Sequence, residues 1–160
     1  MALELTGKEK LLHSALEGSR RDLSRLLSMI EKGEELSMPE GEENPDYMIL
    51  GITGPPGVGK STLVGRIISY WKDRGKKVAV LAIDPSSPRT GGALLGDRVR
   101  MDSANSGEGV FVRSLSTRGN PGGISASLMA MSKLLSCCGW EKIIIETVGS
   151  GQSEIKIVAF

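Results

Sequence analysis

The amino-acid sequence predicts an α/β fold, in which a mostly parallel sheet lies between two layers of helices. Short apolar runs alternate with segments of helical periodicity along most of the chain, a pattern typical of parallel strands joined by crossover helices. The runs show no alternation of polar and apolar residues, as expected for strands buried on both faces. Glycine is abundant, at 21 residues, and many glycines lie between the runs with Pro, Ser and Thr, which indicates loops at strand ends.

The first part of the chain is helical. Residues 8–32 repeat apolar side chains at helical spacing, and Gly18 with Ser19 should divide them into two helices. Residues 33–46 are acidic and rich in Pro and Gly, which predicts a solvated linker. We therefore expect a helical segment with its linker over residues 1–46 and an α/β domain over residues 47–160.

The α/β part contains four strand candidates. Three helical or loop segments connect them, with Gly75 and Gly139 as the expected helix stops. The predicted strands are residues 47–53, 78–83 ending at Asp84, 110–115, and 142–145 leading into Glu146. The predicted helices are residues 60–72 and 124–138, with a short one near 97–102, and residues 155–160 form a last apolar stretch. Residues 85–109 and 116–123 are predicted to be mainly loop.

Composition narrows the class of protein. The 160 residues carry 20 basic and 19 acidic side chains, a formal net charge of +1, which offers no general attraction to nucleic acid or to an anionic membrane. The two cysteines are adjacent, so no disulfide framework is predicted. No signal peptide or membrane-length apolar run occurs. We expect a cytoplasmic protein, or one of the mitochondrial matrix if the source is eukaryotic.

The motif with the clearest chemistry is a phosphate-binding loop. Residues 54–61 read GPPGVGKS and match the P-loop pattern, with a strand before and a helix after. Glycines let backbone N–H groups turn towards phosphate oxygens, and the helix adds its positive end. Lys60 would reach the β and γ phosphates, and the Ser61 hydroxyl would bind Mg²⁺. The predicted nucleotide-binding residues here are Gly54, Pro56, Gly57, Val58, Gly59, Lys60, Ser61 and Thr62.

Two acids follow strands and are expected at the same edge of the sheet. Glu146 and Asp84 each end an apolar run, and the carboxyl ends of parallel strands meet beside a P-loop. Both are candidates for holding Mg²⁺ or its water. Gly149 follows Glu146 at the spacing of a switch whose N–H senses the γ-phosphate. Asp97 is open between a helix N-cap and such an acid.

Arginines near the Gly-rich loops have no assigned role. They could contact phosphate or lie on the surface, and the residues concerned are Arg89, Arg98, Arg100, Arg113 and Arg118.

Four stretches together resemble a known family. In order, they are residues 51–62, 84–92, 95–101 and 146–154, and they are similar to those of the MeaB/ArgK family of P-loop GTPases. The resemblance implies Mg²⁺-dependent binding and slow hydrolysis of GTP to GDP, with Lys60, Asp84 and Glu146 in catalysis and Ser61, Asp84, Asp97 and Glu146 around Mg²⁺. It further implies a chaperone role for an adenosylcobalamin-dependent mutase such as methylmalonyl-CoA mutase, and a homodimer in the full-length form.

The chain departs from this family in its extent. The guanine-reading tetrad Asn-Lys-x-Asp does not occur in the sequence, so we expect an incomplete nucleotide-binding core in a truncated chain. Two alternatives remain open. One is a transport-system ATPase or small-molecule kinase that uses the same loop. The other is a non-catalytic form that binds a partner through its N-terminal helices.

Overall fold

The computed structural model describes residues 6–39, 41, 44–84, 108–116 and 121–147. Within these ranges the chain forms helices and strands in the predicted alternation. The elements are α1 (Gly7–Leu16), α2 (Arg20–Glu31), β1 (Met48–Ile52), α3 (Lys60–Lys72), β2 (Val78–Asp84), β3 (Val110–Ser116), α4 (Pro121–Cys137) and β4 (Lys142–Thr147).

The four strands form one parallel sheet in the order β1-β4-β2-β3. The last of the described strands, β4, is thus inserted between the first two. Glu146 of β4 is paired in register with Ile52 of β1 on one side and with Ala82 of β2 on the other. The predicted α/β class and the parallel sheet are confirmed, and the strand order brings the ends of β1, β4 and β2 together.

Each face of the sheet carries its own apolar cluster. In β4, Ile143 and Ile145 pack with residues of α2 and α4, whereas Ile144 packs with Val64 and Ile68 of α3. This alternation follows from the two-residue period of a strand. The result is three layers, with α1, α2 and α4 on one face and α3 on the other.

The N-terminal helices belong to the packed core. Leu23, Leu26, Leu27 and Ile30 of α2 are each at most 4% exposed and lie in the cluster that contains α4. The turn between α1 and α2 is held at Asp22, which accepts hydrogen bonds from the Ser14 hydroxyl at 2.7 Å and from the Ser19 hydroxyl at 3.0 Å. These hydrogen bonds lower the pKa of Asp22 below its ordinary value.

Arg113 joins α2 to β3. Its guanidinium donates to the Ser24 carbonyl at 3.1 Å, the Ser28 hydroxyl at 2.9 Å and the Glu31 carboxylate at 2.8 Å. The side chains of Arg113 and Glu31 are each 18% exposed. Arg113, to which the sequence analysis assigns no role, therefore has structural partners in a helix more than 80 residues earlier in the chain.

The helix boundaries agree with the sequence prediction, with one exception. The break at Gly18, the helix at residues 60–72 and the stops near Gly75 and Gly139 are confirmed. The exception is α4, which begins at Pro121 inside the predicted loop 116–123. Proline suits the first turn of a helix because its fixed φ is helical and that turn needs no N–H donor. The short helix near 97–102 and the stretch 155–160 lie outside the described residues.

An ion pair and a backbone hydrogen bond connect two segments at the amino-terminal edge of the sheet. Glu141, just before β4, accepts from the Lys76 ammonium at 2.7 Å and from the Lys77 backbone N–H at 3.2 Å. The Lys76 hydrogen bond is the main reason that the pKa of Glu141 lies below its usual value near 4.5. Glu141 thereby ties the segment before β2 to the segment before β4.

The free energy of unfolding should depend on pH through the Glu141–Lys76 ion pair. Because the pKa of Glu141 is lower in the folded chain, its contribution is complete above the unfolded value near 4.5 and is lost as pH falls through the folded value. Urea unfolding should show Glu141→Gln to be less stable than wild type at pH 7, with the difference shrinking towards pH 3. A difference that is constant from pH 7 to pH 3 would contradict this assignment.

Candidate functional site

The predicted phosphate loop connects β1 to α3. It runs from Thr53 to Gly59, and α3 begins at Lys60. Gly57 and Gly59 have φ angles of +81° and +92°, which side-chain-bearing residues rarely adopt. An added Cβ at either position would meet no atom within 4 Å. Backbone conformation, rather than lack of space, therefore requires glycine at these two positions.

The N-terminus of α3 differs from those of α1 and α2. Thr6 caps α1 and Ser19 caps α2 through their side chains, and each helix has an acid in its first turn. Among the described residues, α3 has neither: its N-cap is Gly59, without a side-chain hydrogen bond, and its first turn carries no acid. Its first backbone N–H groups and the positive end of its dipole are therefore available to an anion.

Lys60 lies across the loop that precedes it. Its ammonium donates to the carbonyl oxygens of Gly54 at 2.7 Å and Pro55 at 2.8 Å. These two contacts place a positive charge beside the loop, and the first backbone N–H groups of α3 come directly after the loop. The arrangement concentrates donors and positive charge in one concave turn, which suits the oxygens of a polyphosphate.

Ser61 and Glu146 meet at the carboxyl edge of the sheet. The Ser61 hydroxyl donates to Glu146 Oε1 at 3.3 Å, although the two residues are 85 positions apart. Glu146 is 6% exposed and lies between Ile52 and Ala82 in the sheet register. A hydroxyl and a carboxylate are the oxygen donors that Mg²⁺ prefers, so the two residues fit the predicted metal.

The other predicted site residues stand as follows. Pro56 and Val58 are exposed on the loop, and the Thr62 side chain lines the outer surface of α3 beside Gly65 and Arg66. Asp84 ends β2 at the same edge as Glu146, and its side chain is outside the described part. Asp97 and Gly149 also lie outside the described residues. Among the side chains that the structure does describe, no three His, Cys, Asp or Glu residues cluster as a metal site.

Sequence reasoning did not identify the neighbours of Glu146. Ile52 and Ala82 flank it through strand pairing, and no local motif marks either residue. Only the order of the strands could have shown that they border the site.

A parallel sheet with a P-loop between β1 and α3, and an acid beside the loop, defines a P-loop nucleotide-binding protein. Comparison with known proteins gives the family. The sequence model of "Methylmalonyl Co-A mutase-associated GTPase MeaB" matches residues 41–160, and the chain belongs to this family of GTPases. The resemblance of the sequence to the MeaB/ArgK family is thereby confirmed. Within the described residues, no helix has both the length and the apolar character needed to cross a bilayer.

Curated relatives support the assignment. A Pyrococcus abyssi protein described as a GTPase is 43% identical over 94% of this chain and 48% of its own length. GTPase ArgK of Escherichia coli is 35% identical over 88% of this chain and 45% of its own length. The mitochondrial methylmalonic aciduria type A homolog of Caenorhabditis elegans is 36% identical over 93% of this chain and 42% of its own length. The chain thus spans about half the length of the curated relatives it matches.

Proposed function

We propose that this chain binds GTP or GDP with Mg²⁺ at the loop between β1 and α3, and that the complete protein hydrolyses GTP. One observation carries the proposal: the uncapped N-terminus of α3 lies beside both the Lys60 ammonium and the paired oxygens of Ser61 and Glu146. Phosphate affinity and a site for Mg²⁺ thereby occur at one place. The family supports guanine nucleotide as the ligand.

Each described residue has a chemical role in this proposal. The Lys60 ammonium would leave its carbonyl partners and bind the β and γ phosphates, where charge develops as the terminal phosphoryl group is transferred. Backbone N–H groups of Gly57 and Gly59 and the first turn of α3 would bind the remaining phosphate oxygens. Bound Mg²⁺ would neutralise phosphate charge. Ser61 and Glu146 would hold it directly or through water.

Three residues complete the proposed site from the sequence. Asp84 and Asp97 would hold Mg²⁺ or orient the attacking water, and the Gly149 N–H would report the γ-phosphate. For Asp84, the position of its backbone at the carboxyl edge supports this role. For Asp97 and Gly149 the support is the resemblance of their motifs to those of the family.

The partner proposal is a chaperone role towards an adenosylcobalamin-dependent mutase. Its support is the family's description as methylmalonyl Co-A mutase-associated and the methylmalonic aciduria type A name of a relative. We further propose a homodimer for the full-length form and a cytoplasmic location, or the mitochondrial matrix in a eukaryote, where one relative is named as mitochondrial.

The test is a fluorescence titration of the 160-residue chain with labelled GTP, GDP and ATP, with and without Mg²⁺. We expect saturable binding that Mg²⁺ strengthens for GTP and that favours guanine over adenine. Equal affinity for ATP would favour the ATPase or kinase alternative. If the chain bound no nucleotide although circular dichroism showed it to be folded, this result would favour the non-catalytic alternative.

The role of Glu146 gives a second measurable outcome. Glu146→Gln keeps the shape of the side chain and removes its charge, so we expect the strengthening of GTP binding by Mg²⁺ to fall by about tenfold or more. Binding without Mg²⁺ should not weaken, because the substitution removes a negative charge beside the phosphates. Glu141→Gln makes the same substitution at the opposite edge of the sheet and should keep the full Mg²⁺ dependence. If Mg²⁺ strengthened GTP binding by Glu146→Gln as much as it does in wild type, Glu146 would not be part of the metal site.

A further inference from the structure

Ala82 differs from the rest of β2 in its burial. The other five residues from Val78 to Ile83 are at most 3% exposed, whereas Ala82 is partly exposed. β2 is an interior strand of the described sheet, since it pairs with β4 on one side and with β3 on the other. Among the side chains of β2 that the structure describes, solvent therefore reaches the sheet at Ala82.

The exposed side of Ala82 belongs to the face of the sheet that carries α3. Its neighbours Leu81 and Ile83 lie in the buried cluster of the opposite face. Val80 lies in the cluster that contains Val64 of α3, and the two-residue period of a strand puts Ala82 on the same face as Val80. Val80 fills its place below α3 with two methyl groups that Ala82 lacks, so the accessible space begins at Ala82.

This space lies beside the Ser61–Glu146 pair. In the sheet register, Ala82 is directly opposite Glu146 of β4 and Ser114 of β3, and adjacent strands are about 4.8 Å apart. The strand period places Glu146 and Ser114 on the α3 face as well. The Ser61 hydroxyl, at the start of α3, donates to Glu146 Oε1 at 3.3 Å. The short side chain of Ala82 thus leaves accessible space next to the two oxygens that suit Mg²⁺.

We propose that Ala82 is a positioning residue of the metal site, whose small side chain keeps room for Mg²⁺ and for the water molecules that the ion retains. The inference rests on the proposed function, because it concerns the same Ser61–Glu146 site. Mg²⁺ requires nearly ideal octahedral geometry and gives up its water ligands reluctantly. Two protein oxygens fill only part of an octahedral shell, so the remaining ligands need volume beside Glu146. Ala82 supplies this volume on the β2 side.

Close packing does not account for alanine at this position. Ala79, on the opposite face of β2, is 0% exposed, so packed neighbours fix its small size. Ala82 has accessible surface instead, and its surroundings would admit a larger side chain. Interior strands favour β-branched residues, which β2 carries at Val78, Val80 and Ile83. Alanine at position 82 therefore forgoes apolar burial, and space for a ligand explains why.

The test is the substitution Ala82→Val, in fluorescence titrations with labelled GTP at increasing Mg²⁺ concentration. The two added methyl groups take up the space beside Glu146, so we expect the strengthening of GTP binding by Mg²⁺ to fall by about tenfold or more. GTP binding without Mg²⁺ should stay close to wild type, because the loop and Lys60 are unchanged. Ala82→Ser adds one oxygen, which can replace a water molecule beside the ion, and it should keep the Mg²⁺ effect.

Urea unfolding separates this role from a role in packing. Ala82→Val should be at least as stable as wild type, because valine suits a strand and adds apolar contact. Ala79→Val makes the same substitution in the packed cluster of the opposite face and should lower the urea midpoint.

The outcomes distinguish the inference from the proposed function. If Mg²⁺ strengthened GTP binding by Ala82→Val as much as in wild type, the inference alone would be overturned. It would also be overturned if Ala82→Val lost GTP binding equally with and without Mg²⁺, or if its urea midpoint fell as far as that of Ala79→Val. If Mg²⁺ did not strengthen GTP binding by wild type, the proposed function would be overturned together with the inference.

Discussion

Replacing Lys60 with Ala is expected to remove nucleotide binding almost completely, with GTP affinity falling by about 100-fold or more. The physical reason is the loss of a positive charge with three donors from the centre of the loop. Hydrogen bonds to charged groups contribute about 1.5–3 kcal/mol each, and about 2.7 kcal/mol corresponds to 100-fold. Fluorescence titration with labelled GTP in Mg²⁺ measures the effect.

The fold should tolerate this substitution. The Lys60 ammonium bonds to the carbonyl oxygens of Gly54 and Pro55 at a partly exposed position, where water can replace it. The control is Lys72→Ala, which removes an exposed lysine at the far end of the same helix and should bind as wild type. If Lys60→Ala bound GTP with wild-type affinity, the loop would not be the nucleotide site.

The second large effect concerns stability. Arg113→Ala should lower the free energy of unfolding by about 2–4 kcal/mol, because it removes one partner of a largely buried ion pair and three hydrogen bonds at once. Urea unfolding followed by tryptophan fluorescence measures the change. Trp140 is a suitable reporter because it is 5% exposed, contacts Phe111 of β3 and lies 5.6 Å from the Arg20 guanidinium of α2.

Matched variants separate the contacts of Arg113 from general effects of losing an arginine. Arg25→Ala removes an arginine of α2 whose ion pair with Asp22 is more exposed, and it should change stability little. Arg113→Lys keeps the charge but loses the planar fork, so it should restore only part of the stability. If Arg113→Ala were as mild as Arg25→Ala, the contact with Glu31 would not hold α2 against β3.

The phosphate loop could be predicted because its information is local. A strand, a Gly-rich turn and a helix follow one another within about twenty-five residues, and Gly57 and Gly59 are required by their own backbone angles. The same holds for the helix stops near Gly75 and Gly139. In each case, the conformation of neighbouring residues, rather than any distant contact, decides the outcome.

Arg113 has contacts that local sequence patterns do not predict. It is one of five arginines near Gly-rich loops, and the sequence does not decide whether it contacts phosphate or lies on the surface. Its partners lie in α2, more than 80 residues earlier. No periodicity or spacing predicts which strand a helix crosses, because that depends on how the apolar faces of both elements pack.

By itself the sequence determined the α/β class, the boundaries of most helices and strands, and the loop that places Lys60 beside the start of α3. Each of these depends on residues close together in the chain. Only the tertiary structure decided that β4 lies between β1 and β2, and hence that Glu146 meets Ser61 across 85 positions at 3.3 Å. Strand order and register depend on the packing of whole apolar faces between distant segments, and local residue patterns do not contain this information.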